Sequence, residues 1–146
     1  AKIYDLQDPT AKMSKSSPGG ALNLLAPVNT SVKQIKSAVT DTEREIRYDE
    51  TTKPGVSNLL RLLSALTDRS VTDLETAYQG RGYGDLKSDL ADGFADFVTP
   101  LQARVNSYLA DSAELDRVLA SGAVKAREVA DTTVATAYDK VGFLAG

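Results

Sequence analysis

The chain contains no cysteine and no histidine. Those two absences remove disulfide staples, thiolate nucleophiles, Cys/His zinc sites and any Ser/His/Asp triad from its own residues. Chemistry done here must rest on lysine, arginine, carboxylates, hydroxyls or backbone groups, and the missing thiols fit a cytoplasmic setting. No apolar run approaches the roughly 20 residues that span a bilayer, so no membrane insertion is expected. Glycine and proline are too few for a disordered chain. The opening, Ala1-Lys2-Ile3-Tyr4-Asp5, lacks a start methionine and a signal-peptide pattern, and reads as a chain joined in mid-course, that is, a fragment. A basic excess is missing too. The net charge of −3 argues against general coating of nucleic acid, though not against one local basic patch.

What is present is the material of an ordinary globular domain. The 146 residues are 42% hydrophobic and 25% charged, enough for one real core. Residues 1 to about 30 read as irregular, punctuated by Pro9, Pro18, Gly19, Gly20 and Pro27. Lys2 to Leu6 alternates polar and apolar as the end of a strand does. Beyond residue 30 the apolar period becomes helical and stays so. A first helix is expected from Thr30 or Ser31 to about Val39. After a loop with Pro54 and Gly55, Val56, Leu59, Leu60, Leu62, Leu63 and Leu66 form a wide stripe, the mark of a centrally buried helix. Ser70 followed by Asp73 reads as an N-cap opening a short helix to Tyr78. Gly80, Gly82 and Gly84 read as a flexible turn. From Asp85 the apolar spacing holds phase through Pro100, so a kink or close restart is expected there. A short helix ending near Ser121-Gly122 and a last one from Val124 to Val141 complete an all-α bundle. Tyr108 and Tyr138 fall at core phase.

The segment with chemical content is Lys12-Met13-Ser14-Lys15-Ser16-Ser17-Pro18-Gly19-Gly20. Two lysines three apart alternate with hydroxyls in a loop too rich in Gly and Pro for a helix interior. Ammonium charges, hydroxyl donors and free backbone N–H groups together suit a polyanion, and glycine on one side lets such a loop close and reopen. Read bare, the pattern also fits a solvated surface loop. The carboxylates Asp5, Asp8 and Asp41 lack the spacing of a metal site.

The residue order narrows this. Lys12 to Ser16 spells the KMSKS motif of class I aminoacyl-tRNA synthetases. Asn23-Leu24-Leu25, Ile35 to Asp41, Tyr48-Asp49, Lys53 to Leu60, Gly122 to Arg127 and Tyr138 to Gly142 resemble the bacterial tryptophanyl-tRNA synthetase family over nearly the whole chain. One departure is Ser17, where many members place an Asp. The resemblance implies that residues 1–29 are the tail of a Rossmann-type catalytic domain with its lysine loop, and 30–146 a helical C-terminal domain. It further implies that Lys12 and Lys15 neutralise ATP phosphates while tryptophanyl-adenylate forms, Ser14 and Ser16 donate hydrogen bonds, and Met13 packs near the adenine. Magnesium would ride on the ATP phosphates with no protein ligand. The helical part would approach the tRNA anticodon, with Arg69, Arg81, Lys87, Arg104 and Arg117 as candidate contacts and Tyr78 or Tyr83 as stacking platforms. The intact protein would be a homodimer, and the fragment alone inactive, because the tryptophan pocket and a second ATP motif lie upstream. Two other readings stay open on the residues themselves. One is a helical interaction module with an incidental lysine loop; the other is a class I synthetase for another amino acid such as tyrosine.

Overall fold

The structure, a computed structural model, describes residues 2–17 and 19–142. Five helices follow one another: α1 (Val28–Lys36), α2 (Pro54–Thr67), α3 (Val71–Ala77), α4 (Tyr83–Ala110) and α5 (Ser112–Val141). Ala1–Gln102 forms one compact unit and Ala103–Gly146 a second.

The first unit is built around α2, as its leucine stripe requires. Leu59, Leu60, Leu62 and Leu63 are buried with Ile35, Leu74, Leu86, Leu90, Phe94 and Val98, so α1, α3 and α4 each give one face to the same core. At about 25 cal/mol per Å² of apolar surface, this shared burial is what stabilises short helices that water would melt. Pro54 opens α2 at its first position, where the missing N–H costs nothing. The turn before it is set by Asp49, whose carboxylate accepts from the N–H groups of Thr51 at 2.9 Å and Thr52 at 3.0 Å. Asp68 ends α2 in the left-handed region, φ 54. Ser70 caps α3 as expected, its hydroxyl oxygen accepting from the Asp73 N–H at 3.1 Å.

Several sequence expectations are corrected. The first helix stops at Lys36. Val39 cannot extend it, because the Val39 N–H donates across the chain to the carbonyl of Leu6 at 2.8 Å. Lys2 to Leu6 is no strand; it makes a single antiparallel bridge, Tyr4 with Lys12. Gly84 lies inside α4 and not in a turn, whereas Gly80 has φ 77 and does turn the chain. The expected break at Ser121-Gly122 is absent: α5 runs through, since neither residue removes a backbone donor as proline does. Of the two outcomes expected at Pro100, a kink or a close restart, the restart is absent: α4 continues past it as one helix.

In the second unit the end of α4 meets α5 at Asp111, whose carboxylate accepts from the Glu114 N–H at 3.0 Å. No residue of α5 is buried. Tyr138, expected in a core, is 49% exposed. Its spacing reports an apolar stripe, and that stripe faces outward in this chain. Among the described residues, no helix is long and apolar enough to cross a membrane.

Candidate functional site: the lysine loop and its supports

Residues 2–6 lie at the centre of the site, with a partner on every side. The Asp5 N–H donates to the Ala11 carbonyl at 2.9 Å, and the Met13 N–H to the Ile3 carbonyl at 3.1 Å. The Leu6 N–H donates to the Gly20 carbonyl at 2.9 Å. The first two pairings clamp the entry of the lysine loop and the third clamps its exit. Between them a tight turn is closed by the Ser17 N–H on the Ser14 carbonyl at 3.1 Å. The structure therefore brings Lys12, Met13, Ser14, Lys15 and Ser16 together on one short excursion. Met13 is half-buried against the core, and Lys12, Ser14, Lys15 and Ser16 are exposed. Neither lysine has an ion-pair partner among the described residues. A cavity of about 690 Å³ opens beside Lys15, lined by Leu22, Leu24, Ala26, Thr30 and Gln34.

The loop stands on α2 through a second set of contacts. Asn58, buried on α2, accepts from the Tyr4 N–H and donates to the Tyr4 carbonyl, both at 2.9 Å. One turn later Arg61 donates to the Lys2 carbonyl at 3.1 Å and lies over the rings of Tyr4 and Tyr48. It also bonds the Tyr48 hydroxyl and pairs with Glu50 at 2.5 Å. A guanidinium held between two rings and a carboxylate is a rigid strut, not a mobile ligand arm.

Lys53 is 1% exposed. Its ammonium donates to Asp41 at 3.1 Å and to the Tyr83 hydroxyl at 3.0 Å, and pairs with Glu43 at 2.6 Å. Burial alone would lower its pKa; the Glu43, Tyr83 and Asp41 oxygens instead hold it well above the lysine range. The Tyr83 hydroxyl donates to Asp41 at 2.5 Å. The Tyr83 hydroxyl is thus committed inside this cluster.

A third feature is a cavity of about 610 Å³ lined by Arg44, Arg47, Glu75, Tyr78, Gln79 and Arg81. Arg81 stacks over the Tyr78 ring at 4.7 Å and pairs with Asp89 at 3.3 Å. The Arg44 side chain carries no ion pair among the described residues. Of the expected RNA contacts, Arg81 lines this cavity, and Arg69 lies near enough to bias the Tyr78 hydroxyl. Lys87 is half-buried, and burial lowers its pKa. Arg104 and Arg117 belong to the second unit, where Arg117 is paired with Glu114 at 2.6 Å. Sequence reasoning missed Arg44 and Arg47, which stand in a loop with no motif to flag them. It also missed Arg61, which stands between Leu60 and Leu62 in the sequence. Among the described residues there is no carboxylate group that could hold a metal ion.

The lysine loop and most of the bundle behind it have recognised counterparts. Residues 1–99 match the family described as tRNA synthetases class I (W and Y). A tryptophan–tRNA ligase of Corynebacterium glutamicum is 57% identical over 99% of this chain and 43% of its own length. One from Mycobacterium leprae is 55% identical with the same coverage. The crystal structure of tryptophanyl-tRNA synthetase from Mycoplasma pneumoniae superposes with a TM-score of 0.89 at 33% identity, over 98% of this chain and 44% of that one. The chain thus spans less than half the length of these relatives. With the family match covering the motif, its supports and the helices that carry them, the chain belongs to the class I tRNA synthetases of the tryptophan and tyrosine group.

Proposed function

We propose that this chain is the phosphate-handling and tRNA-approaching portion of a cytoplasmic tryptophan–tRNA ligase. The observation that carries this reading is the pair of exposed lysines, Lys12 and Lys15, left unneutralised on a loop clamped at both ends. In adenylate formation the carboxylate of tryptophan attacks the α-phosphorus of ATP, and the bond to the bridging oxygen breaks to release pyrophosphate. Negative charge grows on that leaving group. Lys12 and Lys15 would meet it with ammonium groups, Lys15 taking the developing charge, while Ser14 and Ser16 donate hydrogen bonds and Met13 packs near the adenine. This is electrostatic and positional catalysis with no covalent enzyme intermediate. Magnesium would be carried by the ATP phosphates. Residues 1–29 would close a catalytic domain supplied by the rest of the protein, and 30–146 would be the helical domain.

For tRNA, the Arg44, Arg47 and Arg81 wall around Tyr78 is the best-supported contact, with Arg69 at its side. Lys87, Arg104 and Arg117 are weaker members of that set. The intact protein is read as a homodimer. Tyrosine in place of tryptophan is the second reading, favoured by a family description that covers both amino acids.

The test is ATP–pyrophosphate exchange by the intact protein with tryptophan and, separately, tyrosine. Lys15→Ala should slow tryptophan-dependent exchange by about 10² to 10³, the range for losing one charge-stabilising donor. Unchanged activation with weakened tRNA binding would overturn the role given to Lys15. Exchange with tyrosine alone would overturn the choice of amino acid.

A further inference from the structure

Asp5 is a carboxylate only 3% exposed at the base of the lysine loop. Burying such a group is costly unless hydrogen bonds replace its water. Here they do: one carboxylate oxygen accepts from the N–H of Gln7 at 2.8 Å and of Asp8 at 3.1 Å. Across the loop the Ser17 hydroxyl faces the same carboxylate, and with the backbone donors it outweighs burial and holds the carboxyl below its usual pKa. Gly20 makes room for the arrangement, since a Cβ there would lie 1.5 Å from the Asp5 oxygen. The next residue along, Leu6, donates its N–H to the Gly20 carbonyl at 2.9 Å. Asp5 has no ion-pair partner among the described residues, so neither loop lysine is spent on neutralising it.

We infer that Asp5 is a positioning residue for the lysine loop, fastening Ser17 and Gly20 to the entry segment so that Lys12 and Lys15 are presented on a closed loop. The inference rests on the reading of that loop as the phosphate handler.

The experiment uses the intact protein and two readouts. The first is the rate of tryptic cleavage after Lys12 and Lys15 in the absence of ATP, quantified by mass spectrometry. The second is tryptophan-dependent ATP–pyrophosphate exchange, resolved into kcat and the KM for each substrate. Asp5→Ser should raise cleavage after Lys15 about tenfold, and should impair exchange about tenfold through kcat and the KM for ATP, with the KM for tryptophan unchanged. The swapped pair, Asp5→Ser with Ser17→Asp, should recover most of both losses. Native cleavage and exchange in Asp5→Ser, or a folded swap that recovers nothing, would overturn the inference. If Asp5→Ser loses its cooperative melt, Ser17→Ala is read instead, and native values there overturn it. If the unaltered protein exchanges no pyrophosphate, the functional reading fails while the cleavage readout still decides the part played by Asp5.

Discussion

The side-chain amide of Asn58 satisfies both main-chain groups of Tyr4, accepting its N–H and donating to its carbonyl at 2.9 Å each. An amide offers one acceptor and two donors in a single plane, so it imitates a neighbouring strand for one residue. Asn58 is 2% exposed, so no water stands ready to replace it. Asn58→Ala should cost about 1 to 3 kcal/mol for each group left unpaired, read as a shift in the urea midpoint of the intact protein. Asn58→Asp should not recover the loss, because a carboxylate cannot donate to the Tyr4 carbonyl. Full stability in either variant would show that the Tyr4 backbone finds other partners.

The Lys53 cluster makes a sharper energetic claim. Removing a buried ammonium leaves Asp41 and the Tyr83 hydroxyl facing each other without their cation, and Lys53→Met should cost about 3 to 5 kcal/mol by equilibrium denaturation. Glu43 is the more exposed acid, at 65%. Glu43→Ala should therefore cost less than about 1 kcal/mol. Equal losses would mean that the cluster is not organised around burial of the ammonium.

Two glycines should respond in opposite directions to the same added methyl group. A Cβ at Gly55 would lie 2.2 Å from the Val39 carbonyl oxygen, and backbone must move to admit it. Gly55→Ala should destabilise by about 1 to 3 kcal/mol. At Gly122, inside α5, nothing stands within 4 Å of the added carbon. Gly122→Ala should stabilise by up to about 1 kcal/mol through helix propensity alone. Thermal melts of the two variants beside the native protein decide both.

Acid should loosen the N-terminal approach to α2. The Thr52 N–H and hydroxyl, the Arg47 guanidinium and the Thr51 N–H hold the Asp49 carboxyl well below its ordinary pKa of 3.8. A depressed pKa means that the folded state favours the charged form, so the contribution is complete above that ordinary value. It is lost as the pH falls below it. Urea midpoints should stay level with respect to this group from pH 7 to about 5 and decline below about 4. Asp49→Asn should flatten part of that decline. An unchanged acid limb would remove Asp49 from the account.

The sequence carried α2 and α3 openly, because a leucine stripe and a Ser-to-Asp cap are both written within one element. The lysine loop was legible as letters in order. What escaped notice depends on distant partners. The first helix seemed to reach Val39, since nothing nearby shows that Leu6 takes the Val39 N–H. Lys53 stands out in the sequence only within a family-like run; its counter-charge Asp41 stands 12 residues earlier and Tyr83 follows 30 later. Asp5 reads in the sequence only as a scattered carboxylate, and its close approach to Gly20 exists only once the loop is folded. Gly122 was read as a stop, but a weak propensity in the middle of good helix formers does not break a helix.

The separation of 54 positions from Tyr4 to Asn58 bears on how the protein is made. Translation delivers the lysine loop before the amide that fixes its base, which emerges only after α1 and the loop behind it. Until then Tyr4 lacks the side chain that pairs both its main-chain groups, since closing so long an interval has to be offset by contacts that do not yet exist. Vectorial synthesis therefore leaves the base of the lysine loop without its α2 support until α2 has left the ribosome.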